Sequence, residues 1–549
     1  MAVAVMTGCG EEFLDRPPKS TLVDANFYQT NDQVLAGSAL LYNLVWFDYN
    51  DKSSYNLGDI RGGTVYRAWN DRDNVEFNTT ANSPRNGEAW RSFYNVVGQA
   101  NTLIQNVNRY AGESVSESVK QHAIAEARFM RATAYTFLVM NYGPVPIIEN
   151  NQTLLSDTTV ARNTEESVWE FITRDYLAAA EALPETPVQE GRITQWSAEG
   201  MLARTYLYRS GIAGSGGSRN QEYLDNAKEY AERVITMSGK SLLPNYADLF
   251  RWPYDNNRES LFENQWEFHP TAYGTQNSMV SQITPLGSAI SNGDGWGGDI
   301  GASYWMLSLY DGLMENGFTN DQRLHATFMM PGARYPEITQ DATDAAGNPI
   351  QQRLIFPQEG TDQNIANIKK YVVGKAVDQG GEASAQRYGN NTYMLRLAEM
   401  YLIYAEASLG NSESTTDQKA IDYFNAVHTR AGLPPHDVQT DGPLTWEDVF
   451  YEKMREFAME GRSWYEFVAL HYFAPQRAYD IISNQDRGHY FIEADQVPNP
   501  TSWEITKTSW DNNRTFNAHP GNFQIPVPAA ELSQAPNLKK APVPYEFGE

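Results

Sequence analysis

The stretch Leu395–Ala407 (LRLAEMYLIYAEA) decides the fold, because small and aromatic residues alternate in it with only three charged residues. It predicts a helix in which alanines allow a neighbouring helix to approach closely. A second helical pattern follows at Ala420–Val427. Ser197–Tyr208 (SAEGMLARTYLY) followed by Asn226–Ile235 repeats the arrangement. The two pairs indicate helix hairpins of the tetratricopeptide style, with ordinary helix-on-helix packing as the alternative.

Apolar residues at helical spacing continue on both sides of these hairpins. From Asp32 onward they predict a mostly α scaffold, and the helix that ends at Tyr142 stops at Gly143-Pro144. The predicted helices are 87–109, 116–142, 164–182, 196–210, 220–237, 393–409, 417–431 and 445–470.

Two long segments break the helical pattern. Residues 48–86 are rich in Asn, Asp, Gly and Tyr, and Gly, Pro, Asn and Asp punctuate 240–390. The second segment is too long for a structureless loop, so we expect short strands and helices in it. The last 75 or so residues also read as irregular. We therefore expect residues 26–549 to form one domain, with its helical scaffold at about 31–240 and 393–470.

Composition limits the partners of this chain. Its 549 residues carry 42 Lys and Arg against 68 Asp and Glu, a formal charge of −26, which disfavours nucleic acid and anionic polysaccharides. The hydrophobic share of 41% is sufficient for a large core. The chain also has 32 Tyr and 13 Trp, side chains that suit stacking on sugar rings.

Cys9 is the only cysteine. It follows Ala2–Val5 and Met6-Thr7-Gly8, a short apolar run with small residues directly before the cysteine, which resembles a bacterial lipobox. The run is shorter than a complete signal peptide. We expect residues 1–25 to comprise a signal remnant, a lipidated Cys9 and a tether. No later stretch has about 18 consecutive apolar residues, so we expect no membrane-spanning helix.

Common catalytic and metal motifs are absent. The sequence has no G-x-S-x-G elbow, no P-loop and no H-E-x-x-H, and its eight histidines are scattered. Asn292–Asp299 (NGDGWGGD) places two carboxylates among glycines, which leaves Ca²⁺ as an alternative to a binding loop, although the spacing is not that of an EF-hand. We therefore expect no cofactor. A pair of glycosidase carboxylates would leave no spacing signature, so a helical-barrel glycoside hydrolase also stays open.

Several strings, in order along the chain, resemble the SusD/RagB family of Bacteroidetes outer-membrane lipoproteins. Glu466 departs from the family pattern, which usually has Asp there, but the charge is kept. The matching strings are Glu12–Pro18 (EFLDRPP), Trp90 with Tyr94, Asn101 and Ile104, Glu126–Ala132 (EARFMRA), Tyr142–Pro146 (YGPVP), Phe262–Trp266 (FENQW), Asp321–Arg323 (DQR), Leu395–Ala407, Arg430–Pro434 (RAGLP), Arg455–Phe457 (REF), Glu460–Arg462 (EGR), Trp464, Ile525–Pro528 (IPVP) and Pro536–Leu538 (PNL).

The charged residues of these strings sit among apolar neighbours, so we expect them to pair in the interior and to be structural. They are Arg128, Arg131, Arg396, Glu399, Glu406, Arg455, Glu456, Glu460 and Arg462.

The resemblance implies a SusD-like α–α superhelix whose long irregular segments build the ligand face. It also implies a surface-exposed, lipid-anchored protein of the outer membrane. Such a protein binds oligosaccharides or polysaccharides and delivers them to a SusC-like TonB-dependent transporter. It implies no catalysis.

Two irregular stretches, 48–75 and 292–305, fit the ligand face. Trp69 would stack on a sugar ring while Asn70 and Arg61 bind its hydroxyls, and Trp296 lies among glycines that leave it little local core to fill. The full set of candidates is Asp48, Asp59, Arg61, Tyr66, Trp69, Asn70, Trp296, Tyr304 and Trp305, with Asn50, Arg387 and Tyr388 as further candidates.

A binding protein for a neutral glycan is the leading interpretation. An oligopeptide-binding member of the same family is the second, because a peptide site needs more groups aimed at main-chain atoms. The helical-barrel hydrolase is the third. A pure scaffold, which would have no small-molecule pocket, is the fourth.

Overall fold

The computed structural model describes residues 24–155, 159–214, 216–357, 364–509 and 513–548. The predicted lipidation site, Cys9, lies outside the described residues. Most described segments are helical, which confirms the mostly α prediction. The longer helices are α1 (Asn31–Ser38), α2 (Pro84–Tyr110), α3 (Glu117–Tyr142), α4 (Glu165–Ala182), α5 (Gln195–Ile212), α6 (Gln221–Met237), α7 (Leu397–Leu409), α8 (Gln418–Arg430), α9 (Trp446–Phe457), α10 (Ser463–Phe473) and α11 (Pro475–Asn484).

Shorter helical turns connect these helices. They lie at Asp24–Phe27, Ala39–Tyr42, Leu44–Trp46, Tyr49–Ser53, Asn56–Ile60, Arg72–Val75, Asn151–Leu155, Tyr246–Phe250, Met279–Ile283, Tyr304–Ser308, Leu313–Asn316, Arg323–Thr327, Ala376–Gln379, Val438–Asp441, Pro520–Phe523, Ala529–Gln534 and Pro536–Lys539.

Polar residues at the helix starts fix where several helices begin. The side chains of Thr164, Asn220, Asp417 and Thr445 each accept a hydrogen bond from a backbone N–H in the first turn of α4, α6, α8 and α9. Each bond satisfies a donor that the helix itself leaves unpaired. Helix α3 ends at Gly143, whose φ of +67° continues no helix.

The helices pack as the two hairpins predicted from the sequence. Helix α5 packs against α6, α7 packs against α8, and α6 packs against α7. Ala227 and Ala231 of α6 are fully buried at the crossing, and the rings of Tyr206 and Tyr230 stack at 5.8 Å. These helices share one hydrophobic core.

A second hydrophobic core underlies the segment between α6 and α7, where the predicted short strands are present. A four-stranded sheet has the order β1-β3-β7-β4, and the other strands form two-stranded ribbons. The strands are β1 (Val65–Arg67), β2 (Ser260–Asn264), β3 (Ile300–Ala302), β4 (Phe328–Met329), β5 (Arg334–Thr343), β6 (Pro349–Ile355), β7 (Asn367–Ile368), β8 (Ala383–Ser384), β9 (Arg387–Tyr388), β10 (Thr392–Arg396), β11 (Ser414–Thr415), β12 (Leu444–Thr445), β13 (Tyr490–Ala494) and β14 (Trp503–Lys507).

A buried network of ion pairs joins the end of β10 to α8, to α9 and the turn after it, and to the residue directly before β2. Arg396 pairs with Glu259, Glu456 and Glu460, and Glu456 also contacts Arg430. These side chains are at most 4% exposed. Their interior pairing was predicted from the sequence and is confirmed.

The remaining predicted pairs are confirmed with one exception. Arg131 binds Asp175 through both carboxylate oxygens, at 2.8 and 2.9 Å, whereas the neighbouring Arg128 makes no salt bridge in the described chain. The other pairs are Glu399 with Arg204 and Arg462, Glu406 with Arg219 and Lys453, and Arg455 with Glu452.

Three segment predictions are wrong. The single helix predicted over 445–470 is two helices, because Met459 and Gly461 adopt φ of +64° and +69° between them. Residues 49–60 are helical and largely buried instead of irregular. The C-terminal region contains α11 and the β13–β14 hairpin.

Candidate functional site

The two stretches predicted to carry the ligand face are neighbours in the structure. Strand β1 pairs antiparallel with β3, with Val65 opposite Ala302 and Arg67 opposite Ile300. Because the pair is antiparallel, Trp69 and Asn70, which follow β1, lie at the same end of the strand pair as the residues that precede β3. The sheet joins sequence segments that are more than 200 residues apart.

Asp299 fixes the backbone that carries Trp69. The buried Asp299 carboxylate accepts hydrogen bonds from the backbone N–H groups of Trp69, at 3.2 Å, and Asn70, at 3.5 Å. Arg67 pairs with the same carboxylate oxygen at 3.3 Å, so its charge is compensated. The turn is held from inside the protein while the ring of Trp69 is 59% exposed.

Trp296 is directed outward by its glycine neighbours. A Cβ at Gly295 would lie 2.5 Å from the carbonyl oxygen of Gly287, and one at Gly297 would lie 2.2 Å from that of Ile283. The chain can approach this closely only without side chains on both sides of Trp296. The backbone N–H of Trp296 donates to Ser281 at 2.9 Å, and its ring is 48% exposed.

Asp294 anchors the start of the same loop. Its buried carboxylate accepts hydrogen bonds from the hydroxyl groups of Ser281, at 2.5 Å, and Tyr388, at 3.0 Å. It also accepts one from the backbone N–H of Gln386 at 2.5 Å. Burial next to this carboxylate raises the pKa of Tyr388, which keeps the phenol protonated as a donor.

The calcium alternative depended on Asp294 and Asp299 facing one ion. The structure directs them to different partners, because Asp294 accepts from Ser281 and Tyr388 whereas Asp299 pairs with Arg67. Across the described ranges, no group of three or more His, Cys, Asp or Glu side chains is placed to hold a metal ion.

Three candidates from the first stretch are buried, which corrects their predicted place on the ligand face. Asp59 is fully buried and accepts hydrogen bonds from the backbone N–H groups of Met459 and Gly461 at 3.0 and 2.7 Å. Burial raises the pKa of Asp59 to about 7. Its carboxylate thus fixes the break between α9 and α10.

Arg61 and Tyr66 are also interior residues. Arg61 is 2% exposed, donates to Thr79 at 3.0 Å and lies over the Trp464 ring at 4.7 Å. Burial lowers the pKa of Arg61 to about 10. Tyr66 is 1% exposed, and its hydroxyl accepts a hydrogen bond from Arg72. The sequence placed these residues in a loop, whereas the structure places them on a buried helix and strand.

The second stretch also divides into exposed and interior residues. Trp305 is 9% exposed and packs on Phe467, so its prediction as a ligand contact is not supported by its position. The ring of Tyr304 is covered by Lys507 at 4.5 Å. Of the three aromatic candidates in this stretch, Trp296 is exposed, Tyr304 is half-buried and Trp305 is buried.

The remaining candidates have different positions. Asn50 is buried against Asn277, and Tyr388 is buried on Asp294. Arg387 lies over the ring of Tyr273 at 6.0 Å. Asp48 is half-buried, pairs with Arg91 at 3.0 Å and borders a separate surface groove.

Tyr273 is an exposed aromatic residue that the sequence reasoning missed. Its side chain is 54% exposed, and its hydroxyl donates to Gln386 at 3.4 Å. Because Gln386 bonds to Asp294, Tyr273 is tied to the loop of Trp296. The signal was present, since Tyr273 lies in a Gly- and Thr-rich piece of the same irregular segment.

The pairing of β1 with β3 places the segment of Trp69 and Asn70 beside the segment that carries Trp296. Two flat, apolar rings stand on backbone that buried carboxylates and close packing hold in place. Such a surface offers contact area to a ligand without rearrangement of the chain.

Comparisons with known proteins agree with the fold. Residues 258–543 match the family model described as "SusD family", and residues 12–207 match one described as "Starch-binding associating with outer membrane". A SusD-like protein of Bacteroides ovatus is 34% identical over 561 residues, covering 99% of this chain and 97% of the relative.

Solved structures give the same result. A crystal structure with xylogluco-oligosaccharide superposes with a TM-score of 0.80 at 34% identity, covering 94% of this chain and all of that chain. A laminarin-binding SusD-like protein superposes with a TM-score of 0.65 at 21% identity, covering 92% and 98%. Among the described residues, no helix is long and apolar enough to cross a membrane.

Proposed function

The chain belongs to the SusD family, whose members bind glycans, and from this premise we propose that it captures a neutral oligosaccharide at the cell surface and delivers it to a TonB-dependent outer-membrane transporter. The observation that carries the proposal is the pair of half-exposed rings of Trp69 and Trp296 on rigid, neighbouring backbone.

Sugar rings have apolar C–H faces that stack on aromatic side chains and hydroxyl rims that need donors and acceptors. Trp69 and Trp296 supply the stacking surfaces, and the exposed Asn70 supplies an amide with both kinds of group. A glycan chain laid across both rings would stack on each of them.

The charges beneath this surface favour a neutral ligand. Asp299 pairs with Arg67, and Arg67 also pairs with Asp71 at 3.1 Å, while Arg72 pairs with Glu76 at 2.9 Å. Both arginines are paired with carboxylates, so neither is left to recognise a uronate or sulfate. The net charge of −26 acts in the same direction.

We propose xylogluco-oligosaccharides as the first ligand class to test. The support is the solved structure named with that ligand, which shares 34% identity with nearly the whole chain. The laminarin-binding relative makes a second β-glucan the next choice.

Lipid anchoring at Cys9 is the proposed means of surface attachment. It rests on the Met6-Thr7-Gly8-Cys9 string and on the family model named for outer-membrane association. In cells that express the chain with a lipoprotein leader, Cys9→Ala should move the protein out of the outer-membrane fraction. Retention of the variant there would contradict the anchor.

The proposal includes no turnover of the glycan. A hydrolase needs two carboxyl groups about 5–9.5 Å apart across the bound sugar. The two carboxylates of the loop that carries Trp296, Asp294 and Asp299, are buried and occupied by donors of their own protein. This arrangement supports a binding role.

Calorimetry on the soluble chain without residues 1–9 tests the proposal. The panel contains xylogluco-oligosaccharides, laminarin, starch fragments, an anionic polysaccharide and a casein digest, with a parallel assay for released reducing ends. We expect binding of a neutral glycan without turnover. Trp69→Ala and Trp296→Ala should each weaken that binding at least about tenfold.

Phe318→Ala is the matched control, because Phe318 is 49% exposed but lies outside both tryptophan segments. It should bind the glycan as the wild type does. Normal binding by both folded tryptophan variants would overturn the site. Binding of the casein digest alone would favour the oligopeptide alternative, and released reducing sugar would favour the hydrolase.

A further inference from the structure

A second surface groove lies between the loop of Tyr273 and helix α2. Its volume is about 560 Å³, which falls within the range of small-molecule sites, about 300–1,000 Å³. Phe47 and Tyr273 contribute aromatic rings, and α2 contributes Asn95, Gly98 and Gln99.

The aromatic side of the groove is pre-formed. The rings of Phe47 and Tyr273 meet edge to face at 5.3 Å and 65°. This contact and the hydrogen bond to Gln386 fix Tyr273 from two directions, although more than half of its surface is exposed. A fixed exposed ring loses little conformational freedom when a ligand stacks on it.

The helical side of the groove carries two amides without partners. Asn95 and Gln99 are one turn apart on α2, and neither side chain makes a hydrogen bond with any described residue. The neighbouring Asn151 differs, because its amide donates to Gly98 at 2.7 Å and Thr102 at 3.0 Å. The free amides offer donors and acceptors to hydroxyl groups.

Gly98 gives the groove its depth. A Cβ at this position would meet only the Asn151 amide nitrogen, at 3.9 Å. A larger residue would therefore occupy the groove itself without a clash inside the protein.

The groove carries no excess charge. Its acidic residue, Asp48, is paired with Arg91 at 3.0 Å, and its other lining residues are uncharged. Amides beside an aromatic wall suit a neutral polyhydroxylated ligand.

Hydrogen bonds link the aromatic side of the groove to the loop of Trp296. Tyr273 bonds to Gln386, and the backbone of Gln386 bonds to Asp294, two residues before Trp296. Tyr273 and the loop of Trp296 therefore share one hydrogen-bonded framework.

We propose that this groove is an additional saccharide subsite, which binds a further segment of the neutral glycan chain held by Trp69 and Trp296. This inference rests on the proposed function. The subsite predicts that affinity depends on the length of the glycan. Long chains that reach both surfaces bind more tightly than short chains, because the second contact is then intramolecular.

The test compares short xylogluco-oligosaccharides of one repeat with long xyloglucan by calorimetry. Two variants change the groove in opposite ways. Gly98→Gln places a larger side chain in the groove. The substitution should also stabilise α2, because glycine is a poor helix former. The double variant Asn95→Ala/Gln99→Ala empties the groove of its amides. Asn108→Ala is the control, since Asn108 is an exposed amide of α2 outside the groove.

We expect both groove variants to weaken binding of the long chain by about tenfold and to leave binding of the short oligosaccharide unchanged. Asn108→Ala should change neither. Wild-type affinity of both groove variants for the long chain would overturn the subsite while leaving the tryptophan surface intact. A wild-type protein that binds no glycan would instead overturn the proposed function, and the subsite with it.

Discussion

The interior around Arg396 and the surface around Trp69 use their side chains in opposite ways. Arg396 is fully buried, and each of its charged partners, Glu259, Glu456 and Glu460, belongs to the same chain. Trp69 stands on equally well-anchored backbone, but its ring is 59% exposed. In the first region the buried charges are paired with one another within the protein. In the second region a rigid aromatic surface is accessible to another molecule.

This difference predicts different responses to mutation. Removing one partner of a buried ion pair leaves an uncompensated charge in the interior, which costs stability. Removing a largely exposed ring costs less stability, but it deletes surface on which a ligand can stack. Stability and binding should therefore separate between the two regions.

The largest effect should follow acidification. Burial alone would raise the pKa of Glu399 and Glu456, but the neighbouring arginines hold both at about 2. Because the folded-state pKa lies below the ordinary value, the stabilisation is present above about pH 4.5 and is lost as the pH falls toward 2. Each carboxylate should account for about 3 kcal/mol. Urea denaturation of an Asp59→Asn variant between pH 6 and pH 2 measures this loss without the opposing titration of Asp59, and a flat profile of that variant would contradict it.

Breaking the network by mutation should have the next largest effect. Glu456→Gln keeps the shape of the side chain but leaves Arg396 and Arg430 short of negative charge, so the free energy of unfolding should fall by about 3–5 kcal/mol. Denaturant titration at pH 7 measures the change. Lys419→Gln removes one partner of the exposed pair with Glu232 and should leave the midpoint where it is. Equal effects of the two variants would refute the contrast.

The contrast between the buried network and the exposed surface also explains which features could be predicted from the sequence. The network was predictable, because charged residues such as Arg396 and Glu399 stand at fixed places in an apolar helical pattern. The helices around them were predictable for the same reason. Trp296 was predictable because its glycine neighbours exclude a local core.

The burial of Asp59, Arg61 and Tyr66 was not predictable from the sequence. These residues lie in a polar, glycine-containing stretch typical of a loop, and their burial depends on partners about 400 residues away, such as Met459 and Gly461. Local pattern carries no information about contacts at that separation. The joining of the two ligand segments by β1 and β3 also depends on a distant pairing, between residues more than 200 positions apart.

Asp59 provides a third test, with the opposite pH dependence. Its pKa is raised to about 7 by burial, so the folded protein holds the proton more tightly than the unfolded chain does. Stability from this group is complete below about pH 4 and is lost as the pH rises through 7, by up to about 4 kcal/mol. Asp59→Asn should flatten the stability profile between pH 5 and pH 8. A variant that keeps the wild-type slope would show that another group titrates.

The smallest effect on stability should come from the surface that matters most for binding. Trp69→Ala and Trp296→Ala remove rings that are 59% and 48% exposed, so each should change the free energy of unfolding by less than about 1 kcal/mol. Their anchors remain, because Asp299 binds the backbone of residue 69 and Ser281 binds that of residue 296. Denaturant titration beside the glycan calorimetry gives both quantities on one sample. A loss of several kcal/mol would mean that these rings fill the core beneath their loops. The weaker glycan binding would then follow from unfolding. The contrast between a buried ion-pair network that stabilises the fold and an exposed surface that binds the ligand would then be wrong.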